Sequence, residues 1–329
     1  MDEDAAAAVA SRYRRFAELE APGRSDLYAA WADGVAGSRV VQAVLARIPA
    51  THRQPPLVFA VTRLLGAPEA DFPTWSRWLV AHADEVVEEC GARSIQTNEP
   101  LRCAALLPAL SLIEGPIALL EVGASAGLCL FPDRYSYRYD ASDAVVALDP
   151  VDGVSAVVLE STLVGAPRLA LPEIVWRAGI DLQPRSAADP ADRAWITGLV
   201  WPGEEGRAER MTAALDIAAS DPPLLVAGDA VAGLADLAAL APADATLVVT
   251  TPGVLAHVPR ANRAALIAAA RAAGRWITLD DVGLHEGWRG VPDPWPPGFA
   301  LALDGEILAS VDPLGSRVVW LRGGEEFGG

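Results

Sequence analysis

The stretch Leu119-Leu-Glu-Val-Gly-Ala-Ser-Ala-Gly127 decides how this chain folds. It contains the end of a short apolar run, Ile117 to Val122, that passes directly into a glycine-rich turn. Such a run is typical of a buried parallel strand. Glycine lets the backbone bend sharply and approach a ligand. We expect a helix to follow the turn and to present free N–H groups and a positive end to that ligand.

Downstream of the turn, apolar runs alternate with helical patterns. The runs cover Glu173–Ile180, Leu224–Ala227, Thr246–Thr250 and Trp276–Leu279, and the helical patterns cover Asp192–Leu199, Glu205–Ala219, Ala232–Leu240 and Arg260–Ala273. Strands and helices that alternate in this way indicate an α/β fold with crossover connections. The sequence therefore predicts a Rossmann-like, doubly wound and mostly parallel sheet.

The region before the turn has a different pattern, with apolar residues at helical spacing. The predicted helices cover Asp4–Ala21, Ser25–Ala36, Ser38–Arg47, Pro55–Leu65, Trp75–Cys90 and Pro100–Leu112. Ser25 and Ser38 are suitable N-caps. We expect a helical region over residues 1–114 and a cofactor-binding sheet domain over residues 115–329.

Two segments interrupt the alternation of strand and helix. Residues 135–164 alternate in places and contain a turn-rich Asp149-Pro-Val-Asp-Gly153, which predicts a β-hairpin insertion. The tail predicts two strands, Phe299–Leu303 and Arg317–Leu321, joined by a turn-rich connection. An antiparallel pair of this kind would close one edge of the parallel sheet.

Composition excludes several classes of function. The chain has 329 residues, a net charge of −17 and a pI of about 4.6, so neither nucleic acid nor an anionic membrane surface is the expected partner. All 26 basic residues are Arg. The absence of Lys excludes Schiff-base chemistry and the lysine-dependent P-loop and kinase mechanisms.

The compartment and the metal content are also constrained. Cys90, Cys103 and Cys129 form no CxxC motif, so neither a disulfide framework nor a zinc site is expected. The N-terminus is acidic, unlike a signal peptide, and no apolar run is long enough to span a bilayer. We expect a cytoplasmic protein without a metal.

The order of the acidic landmarks resembles that of class I S-adenosylmethionine-dependent methyltransferases. An acid, Glu121, precedes a G-x-G-x-G-like turn in which Ser125 replaces the middle glycine. The segments Val175–Asp181 and Leu225–Asp229 resemble the second and third strand motifs of that family, and residues 245–259 resemble the fourth. The resemblance covers about residues 115–285.

The resemblance implies a role for each landmark toward S-adenosylmethionine. The residues that would hold its methionine and ribose part are Glu121, Gly123, Ser125 and Gly127. Asp181 would bind the ribose hydroxyls, and Asp229 would face the adenine. Asp140 lies nearer the usual distance from the turn and is the alternative ribose acid.

Nearly the whole chain also resembles an uncharacterised bacterial family of unknown function. The segments that carry this resemblance are Arg53-Gln-Pro, Gln96-Thr-Asn-Glu-Pro100, Leu120-Glu-Val-Gly-Ala-Ser-Ala-Gly-Leu-Cys-Leu130 and Pro132-Asp-Arg-Tyr135. That family implies no activity. Within these segments, the residues that could contact a small-molecule acceptor or the cofactor are Gln96, Asn98, Glu99, Arg134 and Tyr135. Alternatively, Thr97 or Asn98 caps the next helix.

His257 is the candidate catalytic residue, because it follows the predicted fourth strand and could take a proton from an acceptor heteroatom. A structural role is the alternative. Asp280, Asp281 and His285 lie close in sequence, but adjacent strand residues point to opposite faces, which spoils a metal site.

Two other classes of function compete with a methyltransferase. Gly123-x-Ser125-x-Gly127 also fits a nucleophile elbow, with Asp229 or Asp281 as the acid and His257 or His285 as the base. A serine hydrolase should carry earlier strands and an oxyanion loop, and the helical first third predicts neither. The other alternative is a nucleotide-binding protein without catalysis.

Overall fold

A computed structural model describes residues 3–96, 98–142 and 144–322. The α-helices are α1 Glu3–Leu19, α2 Asp26–Gly37, α3 Arg39–Leu45, α4 Pro55–Leu64, α5 Phe72–Ala81, α6 Ala83–Ala92, α7 Arg102–Leu110, α8 Pro190–Gly198, α9 Arg207–Ser220, α10 Ala230–Ala238 and α11 Arg260–Ala273. The strands are β1 Ile117–Val122, β2 Ser136–Asp140, β3 Val145–Leu148, β4 Val158–Val164, β5 Ile174–Asp181, β6 Leu224–Ala227, β7 Thr246–Pro252, β8 Arg275–Asp280, β9 Phe299–Leu303, β10 Glu306–Val311 and β11 Arg317–Trp320.

The strands form one 11-stranded sheet in the order β3-β2-β4-β11-β10-β9-β8-β7-β1-β5-β6. Most neighbouring strands are parallel, and the antiparallel pairs are β2–β3, β8–β9, β9–β10 and β10–β11. The predicted α/β class with a mostly parallel sheet is confirmed. None of the helices described is both long and apolar enough to cross a membrane.

Strand β1 occupies the centre of the parallel part of the sheet. It pairs with β5 on one side and β7 on the other, both in parallel. After β1 the chain forms β2, β3 and β4 at the other end of the sheet, then adds β5 and β6 on one side of β1, and then β7 and β8 on its other side. The strand order therefore reverses at β1, and ligands bind at such a switch point outside the carboxyl ends of the strands.

The chain divides into two compact units. One comprises the described residues of Met1–Thr97 together with Asp189–Thr212, and we call it the helical unit. The other comprises those of Asn98–Ala188 and Ala213–Gly329, and we call it the sheet unit. The helical unit thus includes a segment that lies between β5 and β6 in sequence.

Aromatic side chains fill the core of the helical unit. Trp31 and Trp75 stack with their ring centroids 4.9 Å apart, and Phe59 meets both rings edge-on. The predicted caps are confirmed, because Ser25 and Ser38 accept hydrogen bonds from the first turns of α2 and α3. Each such cap contributes about 1 kcal/mol to helix stability.

The helix predicted after the glycine-rich turn is wrong. Only a single 3₁₀ turn, Leu128–Leu130, follows, and the chain then enters β2. In an α-helix the carbonyl of Leu128 would accept from residue 132, but Pro132 has no N–H. The hydroxyl of Tyr135 donates to that carbonyl instead, at 2.6 Å, and a guanidinium nitrogen of Arg177 donates to the carbonyl of Leu130 at 2.7 Å.

Two other predicted elements need correction. The predicted helix Trp75–Cys90 is broken at His82, whose ring nitrogen Nδ1 lies 2.9 Å from the Trp78 carbonyl and whose ring stacks on Trp78. The predicted turn-rich connection in the tail contains a strand, β10, which pairs with both β9 and β11.

The predicted hairpin within residues 135–164 corresponds to β2 and β3, which pair antiparallel. Strand β4 follows and pairs in parallel with β2 and with β11. These strands extend the same sheet and do not form a separate layer.

Candidate functional site

The turn from Gly123 to Gly127 lies at the carboxyl end of β1, and its own N–H groups are bonded within the protein. The N–H of Gly123 donates to the Ile180 carbonyl at 2.8 Å, and that of Ser125 donates to Oδ2 of Asp181 at 2.9 Å. The N–H of Gly127 donates to the Ala124 carbonyl, within the turn, at 2.6 Å. The backbone therefore offers few free donors to an anionic ligand.

The turn needs backbone angles that favour glycine. Gly123 and Gly127 have φ values of 71° and 72°, and Ser125 has a φ of 49°. The space where a Cβ would stand is occupied by the protein, because a Cβ on Gly123 would lie 2.9 Å from Val254 Cγ2, and one on Gly127 would lie 3.0 Å from Pro223 Cγ. Both glycines are therefore needed for conformation and for packing.

The side chain of Asn98, which lies upstream of the turn in the sequence, forms two hydrogen bonds to the turn. Its side-chain nitrogen donates to Ser125 Oγ at 2.8 Å, and its side-chain oxygen accepts from the Ala126 N–H at 3.0 Å. Asn98 is buried. Helix α7 begins only at Arg102 with Leu101 as its N-cap, so the predicted capping role of Asn98 is wrong. Thr97, the other predicted cap, lies outside the described residues.

Glu99 and Gln96, the other candidate ligand contacts of this segment, differ in how far they are buried. Glu99 is buried, with Oε1 accepting from the Leu101 N–H at 3.0 Å and its carbonyl accepting from Cys129 Sγ at 3.5 Å. Gln96 is half-buried and belongs to the helical unit, whereas Glu99 belongs to the sheet unit.

Glu121 is the acidic residue of β1, one position before the strand ends, and it is buried, with 4% of its surface exposed. Its Oε2 has no hydrogen-bond partner among the described residues. Burial raises the pKa of this carboxyl well above its usual range, Cys129 and Asp181 raise it further, and the Arg102 guanidinium opposes them. A buried carboxyl with an unpartnered oxygen is costly unless a ligand donates to it.

Arg102 lies close to this acid and extends from the start of α7. Its Nη1 donates to the Pro252 carbonyl at 3.1 Å, and its Nε donates to the Pro313 carbonyl at 3.0 Å. Its positive charge partly offsets the rise that burial causes in the pKa values of Glu121 and Asp280. Arg102 therefore supplies positive charge to this region while its nitrogens bond the end of β7 and the loop between β10 and β11.

Asp280 is a second buried acid, at the end of β8. Its Oδ1 accepts from the Leu255 N–H at 3.2 Å, and its Oδ2 accepts from the Thr278 hydroxyl at 3.2 Å. Burial raises the pKa of Asp280 to about 7, against the opposing effect of these hydrogen bonds. Asp280 fixes the loop after β7, which carries the predicted catalytic residue His257.

His257 ends the 3₁₀ turn Leu255–His257 and is exposed. Partial burial of its ring and then the charge of Arg102 lower its pKa. His257 is therefore neutral at pH 7 and able to accept a proton, as a general base must.

The structure separates the two candidate ribose acids. Asp181 ends β5, next to β1, and its oxygens accept from the Ser125 and Gln183 N–H groups. Asp140 ends β2, which lies far from β1 in the strand order. Asp229 is exposed and caps α10 by accepting from the Ala232 N–H at 3.2 Å.

The hydrolase arrangement is not assembled around Ser125. Ser125 is buried, and the partner of its hydroxyl is Asn98. His285 packs its ring edge-on against Trp276 and Trp288, and Asp281 bonds the Gly283 N–H. Within the described part of the chain, no hydrogen bond joins a His to Ser125, and no three His, Cys, Asp or Glu side chains are grouped to hold a metal ion.

A family model with the description "Uncharacterized protein conserved in bacteria (DUF2332)" matches residues 10–320. The chain belongs to this family. The predicted membership in an uncharacterised bacterial family is therefore confirmed. No curated protein and no solved structure gives a significant match.

In this DUF2332 chain, the Pro132-Asp-Arg-Tyr135 segment supports the turn. Asp133 forms an ion pair of 2.7 Å with Arg177 of β5, and both side chains are largely buried. Tyr135 is buried and bonds back to the Leu128 carbonyl, whereas Arg134 is exposed and lies 3.7 Å from Asp221. Of the two predicted acceptor contacts in this segment, only Arg134 is accessible.

Sequence reasoning missed two residues that position the turn. A Cβ on Gly179 of β5 would lie 2.4 Å from the Cβ of Ala124, so only glycine lets the turn approach β5 this closely. A glycine inside a strand is a known signal of close backbone approach. Arg177 was also missed, and no local pattern marks a buried Arg that pairs with Asp133, a residue 44 positions away.

Proposed function

We propose that this DUF2332 chain binds S-adenosylmethionine in its sheet unit and acts as a methyltransferase on a small-molecule acceptor. The observation that carries the proposal is the buried carboxyl of Glu121 at the strand-order switch point, whose Oε2 lacks a partner among the described residues. The parallel order around β1 supports a Rossmann-like binding site at this edge.

The environment of Glu121 favours a cationic ligand group. A positive charge placed against the carboxylate would offset the desolvation that raises its pKa. S-adenosylmethionine carries two such groups, an ammonium and a sulfonium. Glu121 would hold one of them, and the charge-assisted contact contributes roughly 1.5–3 kcal/mol.

The turn favours a ligand without phosphate. Nucleotide phosphates are bound by free N–H groups and by the positive end of a following helix. Here the N–H groups of Gly123, Ser125 and Gly127 are bonded within the protein, and a 3₁₀ turn replaces the helix. S-adenosylmethionine has no phosphate and does not need these donors, whereas dinucleotides and nucleoside triphosphates do.

The remaining contacts follow from the acids near the turn. The Asp181 oxygens each accept one backbone N–H and keep a free lone pair for a ribose hydroxyl. Asp229 is exposed beyond β6 and is our candidate for the adenine amino group. When bound, the cofactor would supply an activated methyl group.

The role of the protein in such a reaction is mainly alignment of the acceptor. His257 is exposed and neutral, so it can remove a proton from an acceptor heteroatom. A small-molecule acceptor fits a chain with a net charge of −17 better than a nucleic acid does.

Isothermal titration of the wild-type protein with S-adenosylmethionine and S-adenosylhomocysteine tests the proposal. We expect micromolar binding that falls about 10- to 100-fold in Glu121→Gln, as expected for the loss of one charge-assisted contact. Glu160→Gln, which removes an exposed carboxylate on β4, is the matched control and should not change affinity. Asp229→Asn keeps the helix cap and removes only the charge.

The two ligands separate the groups that Glu121 could hold. S-adenosylhomocysteine keeps the ammonium but lacks the sulfonium charge. A loss confined to S-adenosylmethionine places Glu121 at the sulfonium, and equal losses place it at the ammonium. Absence of binding to the wild-type protein would reject the cofactor, and ester substrates with a serine-directed probe would then be tried. Binding without turnover across acceptor classes would favour a non-catalytic protein.

A further inference from the structure

Arg102 is a half-buried arginine of the sheet unit, and no acid within the described ranges forms an ion pair with it. Its hydrogen bonds to described residues go to backbone carbonyls, those of Pro252 and Pro313. Arg177 of the same unit, in contrast, pairs with Asp133 at 2.7 Å. A carbonyl carries no net charge, so the charge of Arg102 is left without a counter-ion. An anionic ligand would offset the cost of burying such a charge.

One nitrogen of this guanidinium, Nη2, is open to a ligand. Nη1 donates to the Pro252 carbonyl at 3.1 Å and Nε donates to the Pro313 carbonyl at 3.0 Å, whereas Nη2 bonds to no described residue and is not fully buried. Gly253 leaves this nitrogen uncovered, because a Cβ at that position would lie 3.0 Å from Nη2. The carbonyl bonds thus fix the guanidinium while Nη2 keeps its N–H donors for a ligand.

The open nitrogen lies at the sheet edge that carries the glycine-rich turn. Gly253 directly follows β7, which pairs in parallel with β1. The next residue, Val254, packs against the turn, because its Cγ2 would lie 2.9 Å from a Cβ on Gly123. Arg102 and the turn therefore contact adjacent residues of one loop, and an anion on Nη2 would lie beside the proposed cofactor site.

The same loop carries His257. The 3₁₀ turn Leu255–His257 begins two residues after Gly253, and the His257 N–H donates to the Val254 carbonyl at 2.9 Å. An acceptor whose anionic group binds Arg102 would thus have the proposed base within the loop against which the guanidinium packs.

Glu121 and Asp280, the buried acids described above, do not cancel the charge of Arg102. Burial raises the pKa of Glu121 well above its usual range and that of Asp280 to about 7. Both carboxyls are thereby shifted toward their neutral forms, whereas an arginine keeps its charge. The surroundings of Nη2 therefore favour an anion, although the chain as a whole has a net charge of −17.

We propose that Arg102 binds a carboxylate of the methyl acceptor, which makes the substrate a small carboxylic acid that also carries a hydroxyl, amine or thiol group. This inference rests on the proposed function, because it names the acceptor class for that reaction. A carboxylate matches the single charge of Arg102 and the planar geometry of its donors. A phosphate group carries about −1.5 to −2 charges at pH 7, and the turn N–H groups that would help to hold it are already bonded.

The carboxylate would position the acceptor and take no part in bond making. The acceptor heteroatom would form the new bond to the methyl carbon, and the bond from that carbon to the sulfonium sulfur would break and leave its electron pair on sulfur. The proton of the heteroatom would pass to His257.

Isothermal titration with carboxylates and their amides tests the inference. The probes are glycolate, salicylate and 4-hydroxybenzoate, each compared with its neutral amide and with inorganic phosphate, in the presence and absence of S-adenosylhomocysteine. At least one carboxylate should bind the wild-type protein about tenfold or more tighter than its amide and than phosphate, and Arg102→Gln should lose about tenfold or more of that affinity. Arg271→Gln, which removes an exposed arginine of α11, is the control and should bind like the wild type.

If Arg102→Gln does not fold, labelling of the wild-type protein with phenylglyoxal replaces it. This reagent modifies accessible guanidinium groups, and mass spectrometry of the peptides gives the rate at each arginine. A carboxylate at about ten times its dissociation constant should slow the modification of Arg102 about tenfold and leave that of Arg271 unchanged. The amide should protect neither residue.

The inference and the proposed function fail in different ways. Cofactor binding without binding of any carboxylate, or unchanged labelling of Arg102 when a carboxylate is bound, overturns the inference and leaves the proposed function intact. An equal loss of S-adenosylhomocysteine affinity in Arg102→Gln assigns the guanidinium to the carboxylate of the cofactor and also overturns the inference. Carboxylate binding at Arg102 without any cofactor binding supports the carboxylate site and rejects methyl transfer.

Discussion

Asn98 and Ser125 are joined by a hydrogen bond of 2.8 Å from the amide nitrogen of Asn98 to the hydroxyl oxygen of Ser125. The same amide accepts from the next N–H of the turn, at 3.0 Å. A residue 27 positions upstream therefore holds a serine whose backbone lies in the left-handed region.

The Asn98→Ala variant should be strongly destabilised. It leaves the Ala126 N–H and the Ser125 hydroxyl buried without their partner, and each unsatisfied group costs about 1–3 kcal/mol. We expect the free energy of unfolding in urea to fall by roughly 2–5 kcal/mol. Asn262→Ala, an exposed position on α11, is the control and should change it little. A loss no larger than that of the control would contradict the role of Asn98.

The Gly179→Ala variant should also lose stability, because its new methyl group would stand 2.4 Å from the Ala124 Cβ and 2.9 Å from Leu225 Cδ2. Overpacking of this kind costs about 1–3 kcal/mol. Gly91→Ala in α6 meets no atom within 4 Å and should gain up to about 1 kcal/mol from helix propensity. In denaturant unfolding, the free energy of unfolding should therefore be lower than that of the wild type for Gly179→Ala and higher for Gly91→Ala.

Asp280 should make stability depend on pH. The folded protein holds this proton up to a pKa of about 7, whereas an unfolded Asp loses it near pH 4. Between these values the folded state binds more protons, so the stabilising contribution is complete below pH 4 and is lost as pH rises to 7. The total change is on the order of 4 kcal/mol.

Unfolding of wild type and Asp280→Asn, measured from pH 4 to pH 8, checks this prediction. The wild-type advantage should shrink as pH rises, and the difference between the two proteins should level off above pH 7. Asp244→Asn, at an exposed position, should follow the wild type throughout. A difference that does not vary with pH would show that Asp280 ionises normally.

A double-mutant cycle on Arg177 and Asp133 should reveal strong coupling. Their side chains are 10% and 18% exposed, so removal of one partner leaves the other charge largely buried, and without Asp133 the remaining acid beside Arg177 is the exposed Asp221 at 3.9 Å. We expect single losses of about 3–5 kcal/mol for Arg177→Met and Asp133→Asn, with a coupling energy of about 1–3 kcal/mol. The exposed pair Arg260 and Glu286 should show no measurable coupling. Additive losses at the first pair would contradict the prediction.

The sequence predicted the bounds of two parallel strands well. The run from Ile117 to Val122 matches β1 at both ends, and Leu224–Ala227 matches β6, because glycine or proline bounds each run. Strand β10 was missed although its signal was present. Asp304 and Gly305 have φ values of 52° and 81°, and an Asp-Gly pair between apolar runs is a strong hairpin signal.

The environment of the site was less predictable. Glu121 and Asp181 were chosen as candidates because one precedes the glycine-rich turn and the other ends the next core strand, as in the methyltransferase pattern that the sequence resembles. The bonds from Asn98 to the turn could not be foreseen, because capping explains a polar residue before a helix equally well. The missing helix after the turn depends on Pro132, which was visible, and on Tyr135 and Arg177, whose contacts exist only in the folded protein.

The helical unit is formed by two separate stretches of the sequence, and this has a consequence for biosynthesis. Its aromatic core includes Trp195 and Trp201, which the ribosome adds only after residues 98–188. That interval lasts on the order of 5–20 s at bacterial rates of elongation. Until then the nascent N-terminal helices expose Tyr28 and Phe16, the two rings that Trp201 later covers. The emerging chain should therefore be a client for chaperones that bind aromatic segments during translation.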